Sequence, residues 1–195
     1  VVKPFRGGLV FLPDRHQRVS HGREVYAYVT QWLNEYHELG VNRNMQFYIN
    51  VAKPHTFTIA QTEQIKSQMI ETIVRTFDPV RRDCMELPQV ASGDFVVTSP
   101  ARGVPRVKLI ACRKMLTHMS PAKLLHKIIG AAWEWAGQTF RIFPSDPELL
   151  FDGVARALDA DTARSLFSQC LKAIESGRLQ EQEVLPLELV KPFTV

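Results

Sequence analysis

The order of helical and strand patterns through Gly137 limits the possible folds of this chain more than any single motif does. Short apolar runs closed by turn residues predict four strands, at residues 8–12, 45–51, 95–98 and 107–112. Apolar residues at helical spacing predict three helices, which begin near Ser20, Thr58 and Ser120. The predicted order is strand, helix, strand, helix, strand, strand, helix.

Each predicted helix carries start and stop signals. Residues 20–40 begin with a serine N-cap and close with a glycine that suits a left-handed C-cap. Residues 58–77 open with the capping-box pair Thr58 and Gln61. Residues 121–136 place a proline at the first helical position after a serine and end before a glycine.

This order of elements predicts an α/β fold with a thioredoxin-like core. The first two strands are joined by a helical crossover, and the last two can pair as a hairpin. Crossover handedness and two-layer packing leave few compact arrangements for such a list of elements. The β-α-β-α-β-β-α order is that of a thioredoxin-like sheet.

Beyond the core, the sequence predicts a helical extension. Residues 139–143 suggest a short strand, Asp146-Pro147 opens a helix, and a further helix ends at Gly177. We therefore divide the chain into a thioredoxin-like domain at residues 1–143 and a helical extension with an extended tail at residues 144–195.

Composition excludes several classes of protein. The chain has 195 residues, of which 45% are hydrophobic, which is enough to bury a core. Its apolar stretches are shorter than the roughly 18 to 20 residues of a membrane span. Three widely spaced cysteines without a C-x-x-C pair argue against a disulfide framework and favour a reducing compartment.

Charge is distributed unevenly along the chain. The formal net charge is +4, but residues through Arg141 carry +8 and the remainder carries −4. A basic body attracts polyanions such as RNA or anionic lipid, because neutralised phosphates release condensed counterions. An ordinary solvated surface with excess lysine and arginine is the alternative interpretation.

Catalytic patterns are missing from the positions that would carry them. Thioredoxin-type redox chemistry needs a cysteine before the first helix, and that loop contains none. A thiol oxidoreductase that uses Cys112 is kept as an alternative, although a lone strand cysteine is typical of a core. Metal-ligand spacings and phosphate-cradling glycine loops are also absent from the sequence. We therefore expect no enzyme activity, no metal and no cofactor.

Basic residues cluster in three places: the loop into the first helix, the predicted hairpin and one face of the third helix, where His126 accompanies the lysines. The candidate RNA-binding residues are Arg15, Arg18, Arg23, Arg102, Arg106, Lys108, Arg113, Lys114, Lys123 and Lys127. The alternation of Arg106 and Lys108 with Val107 and Leu109 places both charges on one sheet face. Without obvious stacking aromatics there, we expect contacts to phosphates and RNA shape, not base readout.

Several short motifs carry a resemblance to a known family. They are the Ser20-His21-Gly22-Arg23 stretch, the strand at residues 46–51 closed by Lys53-Pro54, the segment Val104-Pro105-Arg106-Val107 and the helix opened by Ser120. The chain resembles, over residues 5–143, the thioredoxin-like domain shared by certain mitochondrial ribosomal proteins and a small accessory subunit of NADH dehydrogenase. Residues 136–142 are similar to the large-subunit ribosomal members of that family.

The resemblance implies a mitochondrial matrix location. It also implies a structural role in a hetero-assembly, because family members lack the redox cysteine pair and serve as scaffold components. The implied partners are ribosomal RNA and neighbouring ribosomal proteins, with no DNA and no membrane span. An accessory subunit of respiratory complex I is the alternative from the same family. The sequence departs from the family at residues 58–93, which resemble a helical insertion and loop, and at the acidic residues beyond Pro144.

Overall fold

The computed structural model describes residues 33–44, 46–51, 54–85, 94–99, 103–110, 115–130, 132–135, 138–141, 144–179 and 191–193. Within them the fold is mixed α/β. The strands are β1 (Tyr36–Val41), β2 (Phe47–Ile49), β3 (His55–Thr56), β4 (Cys84–Met85), β5 (Phe95–Thr98), β6 (Val107–Leu109), β7 (Met115–Leu116), β8 (Ala132–Trp135) and β9 (Gln138–Arg141). The helices are α1 (Ile59–Arg75), α2 (Pro121–Gly130), α3 (Pro147–Leu158) and α4 (Ala160–Glu175), followed by a 3₁₀ turn at Lys191–Phe193.

Five of the described strands form one antiparallel sheet in the order β3-β2-β1-β5-β6. The register pairs Leu39 with Ile49 across β1 and β2, and Phe95 with Leu109 across β5 and β6. Side chains alternate between the two faces of a strand, so these four apolar residues all point to one face, where they are buried. The pairing of β5 with β6 confirms the predicted hairpin.

The predicted helix at residues 20–40 is wrong for its last part. Residues 34 and 35 form a turn, and Tyr36–Val41 is a strand paired on both sides, with β2 and with β5. The spacing of Leu33 and Tyr36 continues the helical pattern across the real boundary, which misled the prediction. Gly40, expected as a helix stop, lies inside the strand opposite Tyr48. The earlier part of the predicted helix and the predicted strand at residues 8–12 lie outside the described residues.

Helix α1 covers the buried face of this sheet. The capping box is present as predicted: the Thr58 hydroxyl accepts from the Gln61 N–H at 3.2 Å, and the Gln61 side chain accepts from the Thr58 N–H at 3.0 Å. Ile65, Met69 and Ile73 are fully buried against the sheet residues. The strand prediction at residues 45–51 is likewise confirmed for Phe47–Ile49.

The opposite side of α1 packs against α3. Asp146 caps α3 by accepting from the Glu148 N–H at 2.9 Å, with Pro147 in the first helical position, as the sequence predicted. Helix α4 follows directly, and the predicted glycine stop, Gly177, lies two residues beyond its last residue at φ +68°. Phe193 stacks on Phe151 of α3 with ring centroids 4.5 Å apart.

The predicted helix at residues 121–136 is too long. Helix α2 ends at Gly130, and β8 pairs with β9 in an antiparallel hairpin with Trp135 opposite Gln138. Two residues, Ala136 and Gly137, separate these strands, which is the length of a tight hairpin loop. The alternating Ala132-Trp133-Glu134-Trp135 sequence contains two aromatics that favour strands, and pairing with β9 outweighs the local helical spacing.

One cluster of buried side chains includes Leu39 of the sheet, Ile70 of α1 and Phe167 of α4. It therefore contains residues from both sides of the predicted boundary at residue 143. Helix α1, which the resemblance treats as part of an insertion, lies at the centre of this cluster, between the sheet and α3.

Candidate nucleic-acid interface

The outer face of the sheet, opposite α1, carries two of the candidate RNA-binding residues. Arg106 immediately precedes β6 and Lys108 lies within it, alternating with Val107 and the buried Leu109. Their contacts with Glu35 and Tyr36 are on the same side of the sheet. The predicted placement of both charges on one face is confirmed.

Both cations have neighbours from the start of β1. The Arg106 guanidinium lies 3.5 Å from the Glu35 carboxylate, and the two side chains are 66% and 45% exposed. The Lys108 ammonium lies 4.6 Å from the centroid of the Tyr36 ring, a cation–π contact. An exposed ion pair of this kind contributes about 0 to 1 kcal/mol, so the Arg106 guanidinium can exchange Glu35 for another anion at little cost.

Acidic residues balance the charge of the described outer face. Glu38 is exposed and pairs in register with Val96, which in turn pairs with Lys108. Together with Glu35 it matches the two positive charges. The described part of this face is therefore polar, and its net charge is close to zero. It is not a broad basic surface.

Two tyrosines occupy the outer face, which the sequence prediction did not expect. Tyr36 was assigned to a helix, and its position emerges only from the strand register. The Tyr48 ring lies over Gly40, where a Cβ atom would be 2.6 Å from ring carbons. The Tyr36 ring contacts Lys108, and the Tyr48 ring packs over Gly40. This face therefore offers a ligand charged groups more readily than aromatic rings on which a base could stack.

Residues at the centre of the outer face are buried. Val96 is 8% exposed and Thr98 is 2% exposed, although neither belongs to the cluster packed on α1. The Thr98 hydroxyl accepts from the Arg106 N–H at 2.9 Å, which fixes the start of β6. A ligand would therefore contact the β6 flank, where Arg106 projects, and not strand β5.

Lys123 and Lys127 lie on α2, which packs against α4, whereas β6 packs against α1. Lys123 is exposed and Lys127 is half-buried. His126, expected beside them on the surface, is 7% exposed and is therefore wrong as a surface contact. The α2 lysines and the pair Arg106 and Lys108 therefore lie on elements that pack against different helices.

Six predicted contacts lie outside the described residues: Arg15, Arg18, Arg23, Arg102, Arg113 and Lys114. They remain predictions.

Sequence reasoning missed a second basic group. Arg82 and His118 come from distant segments, which are joined where the N–H of Met119, the residue after His118, donates to the Arg82 carbonyl at 2.8 Å. Neither segment shows a motif that predicts this contact. The pairing of β4 with β7 creates it.

The structure describes two of the three cysteines. Cys84 and Cys170 are buried thiols, and burial raises the pKa of Cys170 to about 11, which disfavours the nucleophilic thiolate. Cys112 lies outside these residues. Across the described ranges, no three His, Cys, Asp or Glu side chains are grouped so that they could hold a metal ion.

Comparisons with protein-family models, with curated proteins and with solved structures gave no match for this chain. In the described segments, no helix combines the length and apolar character needed to cross a membrane.

Proposed function

We propose that the protein is a structural component of the large subunit of the mitochondrial ribosome and contacts ribosomal RNA through its basic part. The observation that carries the proposal is the pair of cations at the β6 flank, Arg106 and Lys108. The Arg106 guanidinium is 66% exposed, and its ion pair with the exposed Glu35 carboxylate is long, at 3.5 Å. A guanidinium in this position matches the bidentate geometry of a phosphate.

The uneven distribution of charge along the chain supports contacts with two kinds of partner, RNA and protein. The basic residues are concentrated before residue 142, whereas α3 and α4 expose acidic side chains that include Asp152, Asp161 and Glu175. A basic side toward RNA and an acidic side toward protein neighbours would suit a component of a protein-rich ribosome.

The family resemblance supports the identity of the assembly. Its motifs extend through residues 136–142, which are most similar to the large-subunit member numbered forty-three. The thioredoxin-like topology is part of the proposal: β5 and β6 form the hairpin that this order requires. Residues 8–12, expected to form a parallel neighbour, lie outside the described residues, and within the described sheet both edges of β2 pair with the antiparallel strands β1 and β3.

Salt-dependent RNA binding tests the contact surface. Fluorescence anisotropy with a labelled large-subunit ribosomal RNA fragment would compare the wild type with an Arg106→Gln/Lys108→Gln double variant. We expect weaker binding and a salt slope, in log affinity against log salt, that is lower by about 2, because each lost phosphate contact removes about 1. The matched control is Lys172→Gln/Arg178→Gln, which removes two exposed charges from the α4 end. An unchanged slope in the first variant would contradict the proposal.

A further inference from the structure

A second basic surface lies at the start of α2. It consists of Arg81, Arg82, His118 and Lys123, all exposed, and we refer to it as the basic corner. Arg81 and Arg82 belong to the loop between α1 and β4, whereas His118 and Lys123 belong to the segment that leads into α2.

Backbone hydrogen bonds hold the two segments together. The Met119 N–H donates to the Arg82 carbonyl at 2.8 Å, so His118 is the immediate neighbour of a residue bonded to Arg82. Beside this contact, Cys84 pairs with Leu116 in the short ladder of β4 and β7. Met119 is 2% exposed, so the residue that makes this contact belongs to the buried core. The basic residues are thus presented by a fixed part of the fold.

Two residues of the basic corner adopt a backbone conformation that side chains disfavour. Arg82 has φ +57° and His118 has φ +59°, in the left-handed region where glycine is preferred. Such strain persists where surrounding contacts fix it, and it concentrates at functional positions. Both strained residues carry basic side chains, and they meet at the same contact.

The cations of the corner are available to a ligand. Arg81, Arg82 and Lys123 form no ion pair with any residue in the described ranges. The acidic neighbours in the loop are Asp78 and Asp83. The N–H groups of Arg81 at 3.0 Å and Val80 at 2.8 Å donate to the Asp78 carboxylate and lower its pKa, and the Arg81 charge lies near enough to add to this lowering.

We propose that the basic corner binds phosphate groups of RNA, as a second contact separate from the β6 flank. This inference rests on the proposed function, because it takes RNA as the polyanion. Two consecutive arginines supply planar forks for non-bridging phosphate oxygens, and Lys123 adds a point charge in the first turn of α2. Phosphates recur at every nucleotide, so an RNA backbone presents the closely spaced anions that such a row of cations fits.

The test is RNA binding by the full-length protein, measured by anisotropy across a salt series with the same ribosomal RNA fragment. The Arg81→Gln/Arg82→Gln variant is expected to bind more weakly at every salt concentration, with a slope lower by about 2. Arg81→Lys/Arg82→Lys keeps the charges and is expected to retain most of that slope. Circular dichroism melts of both variants verify that they are folded. Should the glutamine variant fail to fold, Lys123→Gln measures the same surface, with an expected slope decrease of about 1.

The outcomes separate this inference from the proposed function. Loss of slope in the Arg106/Lys108 variant, with an unchanged slope in the Arg81/Arg82 variant, would overturn the basic corner alone and leave acidic protein segments as its partner class. Absence of salt-dependent RNA binding by the wild type would overturn both. An equal loss in the Lys172→Gln/Arg178→Gln control would show an effect of net charge alone and would also overturn the inference.

Discussion

A Cβ atom on Gly153 would lie 2.6 Å from the backbone carbonyl oxygen of Ser67, so α3 and α1 approach each other at backbone distance. Hydrogen bonds hold this contact: the Ser67 hydroxyl donates to the Leu149 carbonyl at 2.8 Å and accepts from Arg156 at 2.6 Å. The close approach joins the sheet-covering helix to the acidic helical region.

Replacement of Gly153 by alanine should therefore destabilise the protein. Neither the carbonyl nor the α1 backbone can rotate away, so the helices must separate, at a cost of typically 1 to 3 kcal/mol for overpacking. The better helix propensity of alanine returns up to about 1 kcal/mol. We expect a net loss of roughly 1 to 2 kcal/mol in urea denaturation. Gly40→Ala is the comparison, because its obstacle is the Tyr48 ring, which can move; an equal or larger loss there would contradict the backbone argument.

The side-chain amide of Gln68 joins α1 to the edge of the sheet. Its nitrogen donates to the Pro105 carbonyl at 2.7 Å, and its oxygen accepts from the Val107 N–H at 3.0 Å. The Gln68→Leu variant should lose about 1 to 3 kcal/mol of stability, since it leaves the Pro105 carbonyl and the Val107 N–H without this partner. Hydrogen exchange of the Val107 amide should accelerate. Gln169→Leu, at an exposed position on α4, serves as the control and should change neither measurement.

Asp159 caps α4 and should make stability depend on acid pH. The Thr162 N–H donates to its carboxylate at 2.8 Å, and this bond, followed by that of the Thr162 hydroxyl, lowers the pKa of Asp159 below 3.8. A lowered folded-state pKa gives stabilisation that is present above 3.8 and is lost as the pH falls through the folded value.

The Asp159→Asn variant should show a smaller loss of stability on acidification than the wild type, because asparagine caps the helix without titrating. Urea midpoints measured from about pH 6 to about pH 2.5 check this. Asp152→Asn removes an exposed carboxylate of α3 and serves as the control for the change in net charge. Identical profiles for Asp159→Asn and the wild type would contradict the role assigned to this carboxylate.

Local signals predicted the elements whose ends are fixed by local chemistry. The Thr58 and Gln61 capping box and the Asp146-Pro147 start appear in the structure as the sequence predicted. The strand Tyr36–Val41 was missed because its pairing with residues 95–98 is non-local, while the spacing before it imitates a helix. Helix α2 was extended too far for the same reason: pairing of β8 with β9 outweighs the local pattern.

The candidate site, too, could be predicted from the sequence only in part. Period-two alternation was sufficient to place Arg106 and Lys108 on one face, but not to reveal Glu35 and Tyr36 as their neighbours, because that depends on the register of β1. The contact of Arg82 with the residue after His118 could not be anticipated, since left-handed conformations at non-glycine residues have no clear sequence signal.

Cosedimentation in a sucrose gradient tests the central claim most directly. Mitochondrial extract containing the tagged wild-type protein would be fractionated at physiological ionic strength and again in about 1 M salt, where the Debye length falls to about 3 Å. We expect the protein in the large-ribosomal-subunit fractions at the lower ionic strength and its release at the higher one. Its presence solely in free fractions, or its comigration with respiratory complex I on a native gel, would contradict the proposal.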